Sequence, residues 1–329
     1  MIKSEELFIL IKSLSKSEKR HFSLLFGGDR KSSNYLRLFH SIEQQTRYDE
    51  KELKRKFADE KFIRQMHVTK NYLRQMNYKS LRIFHSKLSA DAQLKDSLRN
   101  IEILFHKELY RHCRTELKRA ARLAREYELL TGMVEVENWN RRLEQATSPR
   151  NYEAFDKALR HQAETIDLLK NVNDYWQLGV SLSGSDFGTY KNQKPALLDD
   201  ANQANTLEAK SLFYNARYIH HLQREEGAKA AKALEEFIGI LENEPRRLAE
   251  EPGMYVSTIN NLLSYHVFLK NYEEGFKLIQ KAKHVYDSLR ITSENRTLLK
   301  QILRTYNIQL EMYRDTRDFN QHLDFIQRI

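Results

Sequence analysis

Glycine and proline, the two residues that most often interrupt helices, are scarce in this chain. Its 329 residues include only ten glycines and four prolines. Residues with high helix propensity, such as leucine, lysine, arginine, glutamate, glutamine and alanine, are abundant instead. No segment alternates apolar and polar residues in the manner that predicts a strand. We therefore predict an all-α protein.

Helical periodicity and cap signals divide the chain into a succession of predicted helices. Ser15-Lys16-Ser17-Glu18 has the pattern of a capping box, in which two side chains satisfy the free amides at the start of a helix. Glycine, proline and serine clusters predict the breaks. In chain order we predict helices at 5–14 and 15–27, one from Ser33, and others at 52–57 and 61–88. From residue 90 we predict a succession of helices, with breaks near 131–132, 148–149 and 171 and a loop at 179–195.

Positive charge is concentrated in the first half of the chain. Residues 1–150 contain 32 Lys and Arg against 20 Asp and Glu, a balance of +12, whereas the remainder contains 23 against 25, a balance of −2. Such an asymmetry concerns the partners of a protein rather than its fold. We predict a basic N-terminal helical region at 1–92, followed by an array of antiparallel helix pairs at 93–329.

Related residues recur through the second half of the chain. Each of these segments would open the second helix of a helical hairpin, and hairpins that bury their apolar faces only against neighbours form solenoids. The segments are Asn151-Tyr152-Glu153 before Phe155 and Leu159, Asn271-Tyr272-Glu273-Glu274-Gly275 before Ile279 and Ala282, Asp318-Phe319-Asn320 before Ile326 and Ile329, and a fourth with Ala233, Phe237, Ile240 and Pro245.

Over roughly residues 134–329 these segments resemble the tetratricopeptide repeat family. The start at 271–275, with Ala282 seven residues after Gly275, is similar to the second-helix pattern of that family. The series Ala233, Phe237 and Pro245 and the position of Trp139 are similar to other parts of the repeat. Neighbouring starts lie 42 to 47 residues apart, so helical-hairpin arrays with longer helices match almost as well. The resemblance implies a right-handed superhelix with a concave peptide-binding face.

Six cations share one face of a predicted helix, and we call them the cationic stripe. At about 100° per residue they fall within an arc of roughly 80° and extend over roughly 27 Å. Apolar residues at 109, 113, 117, 120 and 124 fall on the far side of the same helix. The stripe is a candidate site for an anionic ligand or a partner protein, although Glu135, Glu137 and Glu144 of the next helix would be its partners in an intramolecular alternative. Its members are Lys107, Arg111, Arg114, Lys118, Arg122 and Arg125.

A second basic surface is predicted on the long helix at 61–88. Residues 61–90 contain no Asp or Glu. Cations bind phosphates, amide side chains hydrogen-bond to base edges and tyrosine stacks on bases, so this mixture suits nucleic acid. Together with short helices at 33–58, it would form a helix-turn-helix-like binder. The alternatives are an acidic partner protein, an acidic surface of the same chain, or a merely solvated face. The candidate contacts are Arg64, Lys70, Arg74, Tyr78 and Arg82.

No residue pattern nominates a catalytic site, a metal site or a cofactor. Cys113, the only cysteine, lies on an apolar helix face and is expected to be a buried thiol, which fits a reducing cytoplasm. Ser185 lacks the flanking glycines of a nucleophile elbow. The adjacent His220 and His221 would point about 100° apart on a helix, which disfavours a shared metal ion. No apolar stretch is long enough to span a membrane, and the N-terminus lacks the features of a secretion signal.

These observations predict a non-enzymatic, cytoplasmic interaction or scaffold protein. It would bind a partner protein or acidic peptide on the concave side of the array, with the cationic stripe as the main contact and without cofactor, metal or membrane. The alternative is a nucleic-acid-binding regulator, in which the basic N-terminal half contacts nucleic acid and the repeats sense a ligand.

Overall fold

The computed structural model describes residues 4–27, 33–87, 89–183, 196–288 and 296–318. Over these ranges the chain forms fifteen α-helices and three short 3-10 helices, with no β-strand. The prediction of an all-α array of helix pairs is confirmed. The chain divides into two compact units, residues 1–99 and 100–329, and the division lies inside the helix Ala90–His106. The boundary predicted at residue 92 lies in the same helix.

The first unit contains five helices and the beginning of a sixth. The rings of Phe22 and Phe39 stack in its core with their centroids 4.3 Å apart. Apolar side chains from the first five helices surround this pair and are almost completely buried. The helices are α1 (Ser4–Ser13), α2 (Lys16–Phe26), α3 (Ser33–Gln44), α4 (Glu50–Lys56), α5 (Met66–Phe84) and α6 (Ala90–His106).

The predicted capping box is present at the start of α2. The Ser15 hydroxyl accepts a hydrogen bond from the Glu18 amide at 3.3 Å, and the Ser15 amide donates to Glu18 Oε2 at 2.7 Å. The other carboxylate oxygen of Glu18 lies 2.6 Å from Nε2 of His85, just after α5. Burial opposes ionisation of Glu18, but the hydrogen bonds from His85 and Ser15 outweigh it and lower the pKa of the carboxyl. A local cap therefore also joins α2 to the end of α5.

The helix predicted at 61–88 begins later than expected. Residues Lys61–Gln65 form a 3-10 helix, and the backbone leaves the helical region at Gln65, with φ −123° and ψ 42°, before α5 starts. The Thr69 hydroxyl lies 3.3 Å from the Phe62 carbonyl and 3.2 Å from that of Gln65 and donates to them across the break. Residues 57–65 therefore separate α4 from α5. This connection is longer than the turn of roughly three to four residues in a helix-turn-helix.

The second unit is a succession of helices in which each packs on the next. Contacts join α7 to α8, α8 to α9, α9 to α10, α10 to α11 and α11 to α13, and α13 also packs on α14 and α15. One large apolar core, with Tyr175 and Phe213 among its fully buried residues, runs through most of these helices. They are α7 (Tyr110–Glu126), α8 (Leu130–Thr147), α9 (Tyr152–Ser183), α10 (Leu207–Gln223), α11 (Gly227–Glu242), α12 (Pro245–Glu250), α13 (Pro252–Phe268), α14 (Tyr272–Ser288) and α15 (Arg296–Asp315).

Five helices of this unit, including the end of α6, terminate in the same turn. In each turn one non-glycine residue has a left-handed backbone, and the next amide donates to the carbonyl five positions earlier at 2.8–3.0 Å. The last three such residues are 45 (270 − 225) and 47 (317 − 270) positions apart, so they follow the period of the hairpins. The five residues are Glu108, Glu128, Glu225, Lys270 and Arg317.

The break near 148–149 is confirmed, whereas two other predicted breaks lie inside helices. Gly132 is buried within α8, and the turn before that helix is centred on Glu128. Asn171 lies in the middle of α9, where its carboxamide donates to the Gln203 carbonyl at 2.9 Å and accepts from the Asn205 amide at 3.1 Å. The asparagine therefore serves a tertiary contact and does not end the helix.

Part of the predicted loop at 179–195 is also helical, because α9 continues to Ser183. Residues 184–195 of that loop, and residues 319–329 of the third repeat segment, lie outside the described residues. None of the helices in the described ranges is both long enough and apolar enough to cross a bilayer.

Candidate functional site

Helix α7 carries five of the six cations of the stripe. Cys113, Leu117, Ala120 and Ala124 are buried along one side of it, as their spacing predicts. Leu109 is the exception: it precedes the first residue of the helix and is 43% exposed. Burial raises the pKa of the Cys113 thiol, and its Sγ lies 3.7 Å from the Ile101 carbonyl. The cysteine is thus part of the core.

Two cations of the stripe are bound by carboxylates of α8. Arg114 forms a short ion pair with Glu144 and donates to the Thr147 hydroxyl at 3.1 Å. Nη2 of Arg125 lies 3.8 Å from Oε1 of Glu137. These are two of the carboxylates expected from the intramolecular alternative, so Arg114 and Arg125 join α7 to α8.

Three of the five stripe cations on α7 remain uncompensated. Arg111, Lys118 and Arg122 are exposed, and their side chains have no ion pair or hydrogen bond within the part of the chain that the structure describes. Lys107 is not on the helix: it lies in the turn before α7, beside Glu108 with its φ of 58°. The expected single rod over 107–125 therefore begins only at Tyr110, and its free charge is carried by Arg111, Lys118 and Arg122, which we call the α7 row.

A cavity of about 270 Å³ lies where α7, α8 and α9 meet. Glu137, only 6% exposed, lines it between Arg125 and His161, with the His161 Nδ1 also 3.8 Å from Glu137 Oε1. Glu164 and Thr165 of α9 complete its polar wall. A buried carboxylate requires a cationic neighbour, and Arg125 supplies it here.

A larger groove of about 530 Å³ lies on another side of α8, against α9. Its wall includes Trp139, Phe155 and Leu159. The guanidinium of Arg142 lies 4.7 Å from the centroid of the Trp139 ring, in cation–π geometry. The groove therefore combines apolar surface with positive charge on α8, the helix whose carboxylates bind two cations of α7.

The candidate nucleic-acid contacts of the first unit differ in their surroundings. Lys70 is mostly buried, and its Nζ lies 2.6 Å from Glu50 Oε2, so it is already paired. Arg74 donates to the Asn71 side chain at 2.9 Å and lies over the ring of Tyr78 at 5.9 Å. Arg82 is exposed at the last turn of α5.

Arg64 is exposed in the 3-10 helix that precedes α5. Tyr72 was not predicted as a contact; it is exposed on the outer side of α5 and packs on Tyr35 with ring centroids 4.6 Å apart. Its spacing of four residues from Val68, another exposed apolar residue, is the signal that identifies this surface.

The described residues contain no group of three or more His, Cys, Asp and Glu side chains placed to hold a metal ion. His220 is buried in the core of α10, and Nδ1 of His221 lies 2.8 Å from Glu226, so the two histidines have different surroundings. No family model, no curated protein and no solved structure matches this chain.

Proposed function

We propose that this chain is a non-enzymatic interaction protein that binds an acidic segment of a partner protein along the α7 row. The observation that carries the proposal is the incomplete neutralisation of the stripe. Carboxylates of α8 bind Arg114 and Arg125, yet three cations beside them stay exposed on the same helix. Arg111 and Arg122 are eleven residues apart, about 16 Å along a helix, which matches about five residues of extended chain.

The α7 row alone supports only weak binding. Exposed ion pairs contribute about 0.2–1 kcal/mol each, so three of them give at most about 3 kcal/mol. A millimolar dissociation constant already corresponds to about 4 kcal/mol. The row is therefore suited to steering a partner and fixing its register, while apolar contacts elsewhere on the array supply most of the affinity.

We also propose that the array is related to tetratricopeptide repeats and forms a right-handed superhelix. The recurring segments support this relation, because Asn151 and Asn271 immediately precede the second helices α9 and α14. Gly275 supports it as well: a Cβ there would lie 2.7 Å from the Met312 side chain, so the small residue permits the close approach of α15. The single, buried cysteine supports a reducing, cytoplasmic location.

The α7 row can be tested by charge reversal. The triple variant Arg111→Glu, Lys118→Glu, Arg122→Glu is compared with the wild type for weak, millimolar-range binding of an oligoglutamate peptide, measured by NMR titration at low and physiological ionic strength. A control variant reverses Arg160, Lys277 and Arg314, which are exposed cations of the same unit with acidic neighbours on their own helices. We expect binding to be lost in the first variant and retained in the control. Equal binding by all three proteins would refute the proposal.

A second candidate function is nucleic-acid binding by the first unit, favoured by the acid-free outer side of α5. Arg82, Tyr72 and Tyr78 are exposed there, and Arg64 is exposed in the 3-10 helix just before α5. A mobility-shift titration of a duplex and a single strand, with wild type and an Arg64→Glu, Arg82→Glu variant, tests it. If the protein contacts phosphates, its affinity falls steeply as the salt concentration rises. The double variant then reduces the slope of log affinity against log salt concentration by about two.

A further inference from the structure

A groove of about 460 Å³ separates α10 from α13, and its surface is mainly apolar. Tyr218 and Leu222 form one side, and Tyr265 and Phe268 form the other. Phe268 is 82% exposed, the highest value among large apolar side chains of the described residues, and Leu222 is 44% exposed. Contiguous exposed apolar surface of this kind marks binding sites, because water contact with it is unfavourable.

The groove is also lined by a side-chain amide without a partner. Asn261 lines the groove, and in the ranges covered by the structure its carboxamide makes no hydrogen bond. Its neighbour Asn260 is fully buried and hydrogen-bonded to α15. A free carboxamide offers both donors and an acceptor, which are the groups that a peptide unit pairs with.

A cation lies at the rim of the same groove. Nη2 of Arg304, on α15, lies 3.4 Å from the hydroxyl of Ser264, which lines the groove. Arg304 is exposed, and no carboxylate pairs with it among the residues described. Burial raises the pKa of the Tyr218 hydroxyl, and the positive charge of Arg304 opposes that rise, so the guanidinium acts electrostatically on the wall of the groove.

The shape of the groove depends on a glycine. Gly227, the first residue of α11, faces the ring of Tyr265, and a Cβ at this position would lie 2.9 Å from Tyr265 Cε2. Any larger residue would push the ring out of its present place in the wall. Glu225, in the turn before α11, also lines the groove and makes it unfavourable for a segment with several acidic residues.

We propose that this groove binds an extended peptide segment that places a large apolar side chain between Leu222 and Tyr265. The peptide backbone hydrogen-bonds to Asn261, and one carboxylate next to the apolar residue pairs with Arg304. The guanidinium fork is suited to a carboxylate, and the apolar walls accept an aromatic or branched side chain. This site is separate from the α7 row, which suits a segment with several acidic residues.

The test uses short capped peptides and ligand-observed NMR titration of the whole protein. The probes are acetyl-Gly-Phe-Glu-amide and its counterparts with Gln in place of Glu and with Ala in place of Phe. We expect the Phe-Glu peptide to bind about threefold more tightly than the Phe-Gln peptide, as one exposed ion pair allows. The Ala-Glu peptide should not bind detectably.

Variants of the protein assign the effect to the groove. Leu222→Glu should abolish binding, Asn261→Ala should weaken it about fivefold through the lost hydrogen bonds, and Gly227→Ala should weaken it by displacing Tyr265. Arg304→Gln should remove the preference for Glu over Gln in the probe. The matched control is Arg314→Gln, an exposed arginine of the same helix that does not line the groove, and it should change nothing.

The proposal is overturned by equal binding of the Phe and Ala peptides, or by unchanged binding of the Phe-Glu peptide to Leu222→Glu. The charge-reversed α7 variant should bind the Phe-Glu peptide normally, and loss of binding there would also contradict the assignment to the groove. Failure in these titrations leaves the oligoglutamate measurement untouched, so the two sites are judged separately.

Discussion

Asn260 and Asn261 are adjacent residues of α13 with opposite roles, and their substitution by alanine gives a sharp test of the structure. The Asn260 amide donates to the Gln301 carbonyl at 2.9 Å, and its carbonyl accepts from the Thr305 hydroxyl at 2.8 Å. The Tyr286 hydroxyl lies 2.5 Å from that of Thr305 and completes a chain of hydrogen bonds between α13, α15 and α14. Burial raises the pKa of Tyr286 to about 12, so its hydroxyl keeps the proton that it donates to Thr305.

The expected loss of stability follows from the hydrogen bonds that Asn260→Ala removes. Asn260 makes three of them, two to Gln301 and one to Thr305, whose hydroxyl keeps the Gln301 carbonyl as an acceptor at 3.0 Å. Each buried hydrogen bond contributes about 1 kcal/mol net, so we expect the free energy of unfolding to fall by about 3 kcal/mol. Asn261→Ala breaks no hydrogen bond and replaces asparagine by a better helix former, so it should be neutral or stabilising by about 0.5 kcal/mol.

The assay is urea unfolding followed by tryptophan fluorescence. Both tryptophans of the chain, Trp139 and Trp176, lie in the second unit, so their emission reports the unfolding of the unit that contains the network. With a urea dependence of about 2 kcal/mol per molar, the midpoint of Asn260→Ala should fall by about 1.5 M. If the two alanine variants have the same midpoint, the buried network does not stabilise α13 and the reasoning is refuted.

Three further predictions concern single contacts. Arg114→Ala should lower the stability of the second unit by about 0.5–1 kcal/mol, whereas Arg111→Ala should have no measurable effect; equal losses in urea unfolding would contradict the division of the stripe. Glu18 has a lowered pKa in the folded protein, so its contribution to stability is complete above its ordinary pKa of 4.5 and is lost as the pH falls through the lowered value. Hydrogen exchange of the α2 amides should therefore differ between wild type and Glu18→Gln at pH 6, and the difference should shrink at pH 3. Lys270→Gly should stabilise the second unit by about 0.5–1 kcal/mol in the same urea assay, because φ is 55° at this position and glycine relieves the strain; Lys270→Ala, which keeps the Cβ, should give no gain.

Features that depend on a few neighbouring residues could be predicted from the sequence. The capping box at Ser15 and Glu18 needs only a spacing of three residues, and the structure has it as expected. Burial of Cys113, Leu117 and Ala124 follows from the helical period, because residues three, four or seven apart share one side. These interactions are complete within one turn or one face of a helix, so tertiary packing does not alter them.

Turns and breaks were harder to predict because tertiary contacts decide them. Asn171 has the chemistry of a helix end, yet its carboxamide binds the backbone at Gln203 and Asn205, and α9 continues through it. Conversely, the recurring left-handed turns use glutamate, lysine and arginine and contain no glycine at the left-handed position. Packing of the flanking helices holds these residues in a conformation that their side chains do not favour. No local sequence pattern predicts this conformation.

The cationic stripe divides into paired and unpaired cations for a geometric reason. The helical period implies this division, although we did not predict it from the sequence. At about 100° per residue, Arg114 and Arg125 lie about 90–110° from the mean direction of the four buried residues of α7. Arg111, Lys118 and Arg122 lie about 130–170° from that direction. A neighbouring helix packed on the buried side reaches only the nearer edge of the stripe, so α8 binds Arg114 and Arg125 and leaves the other three. A carboxylate that neutralises the α7 row must therefore approach from the solvent, because the side chains of α8 do not reach that side of α7.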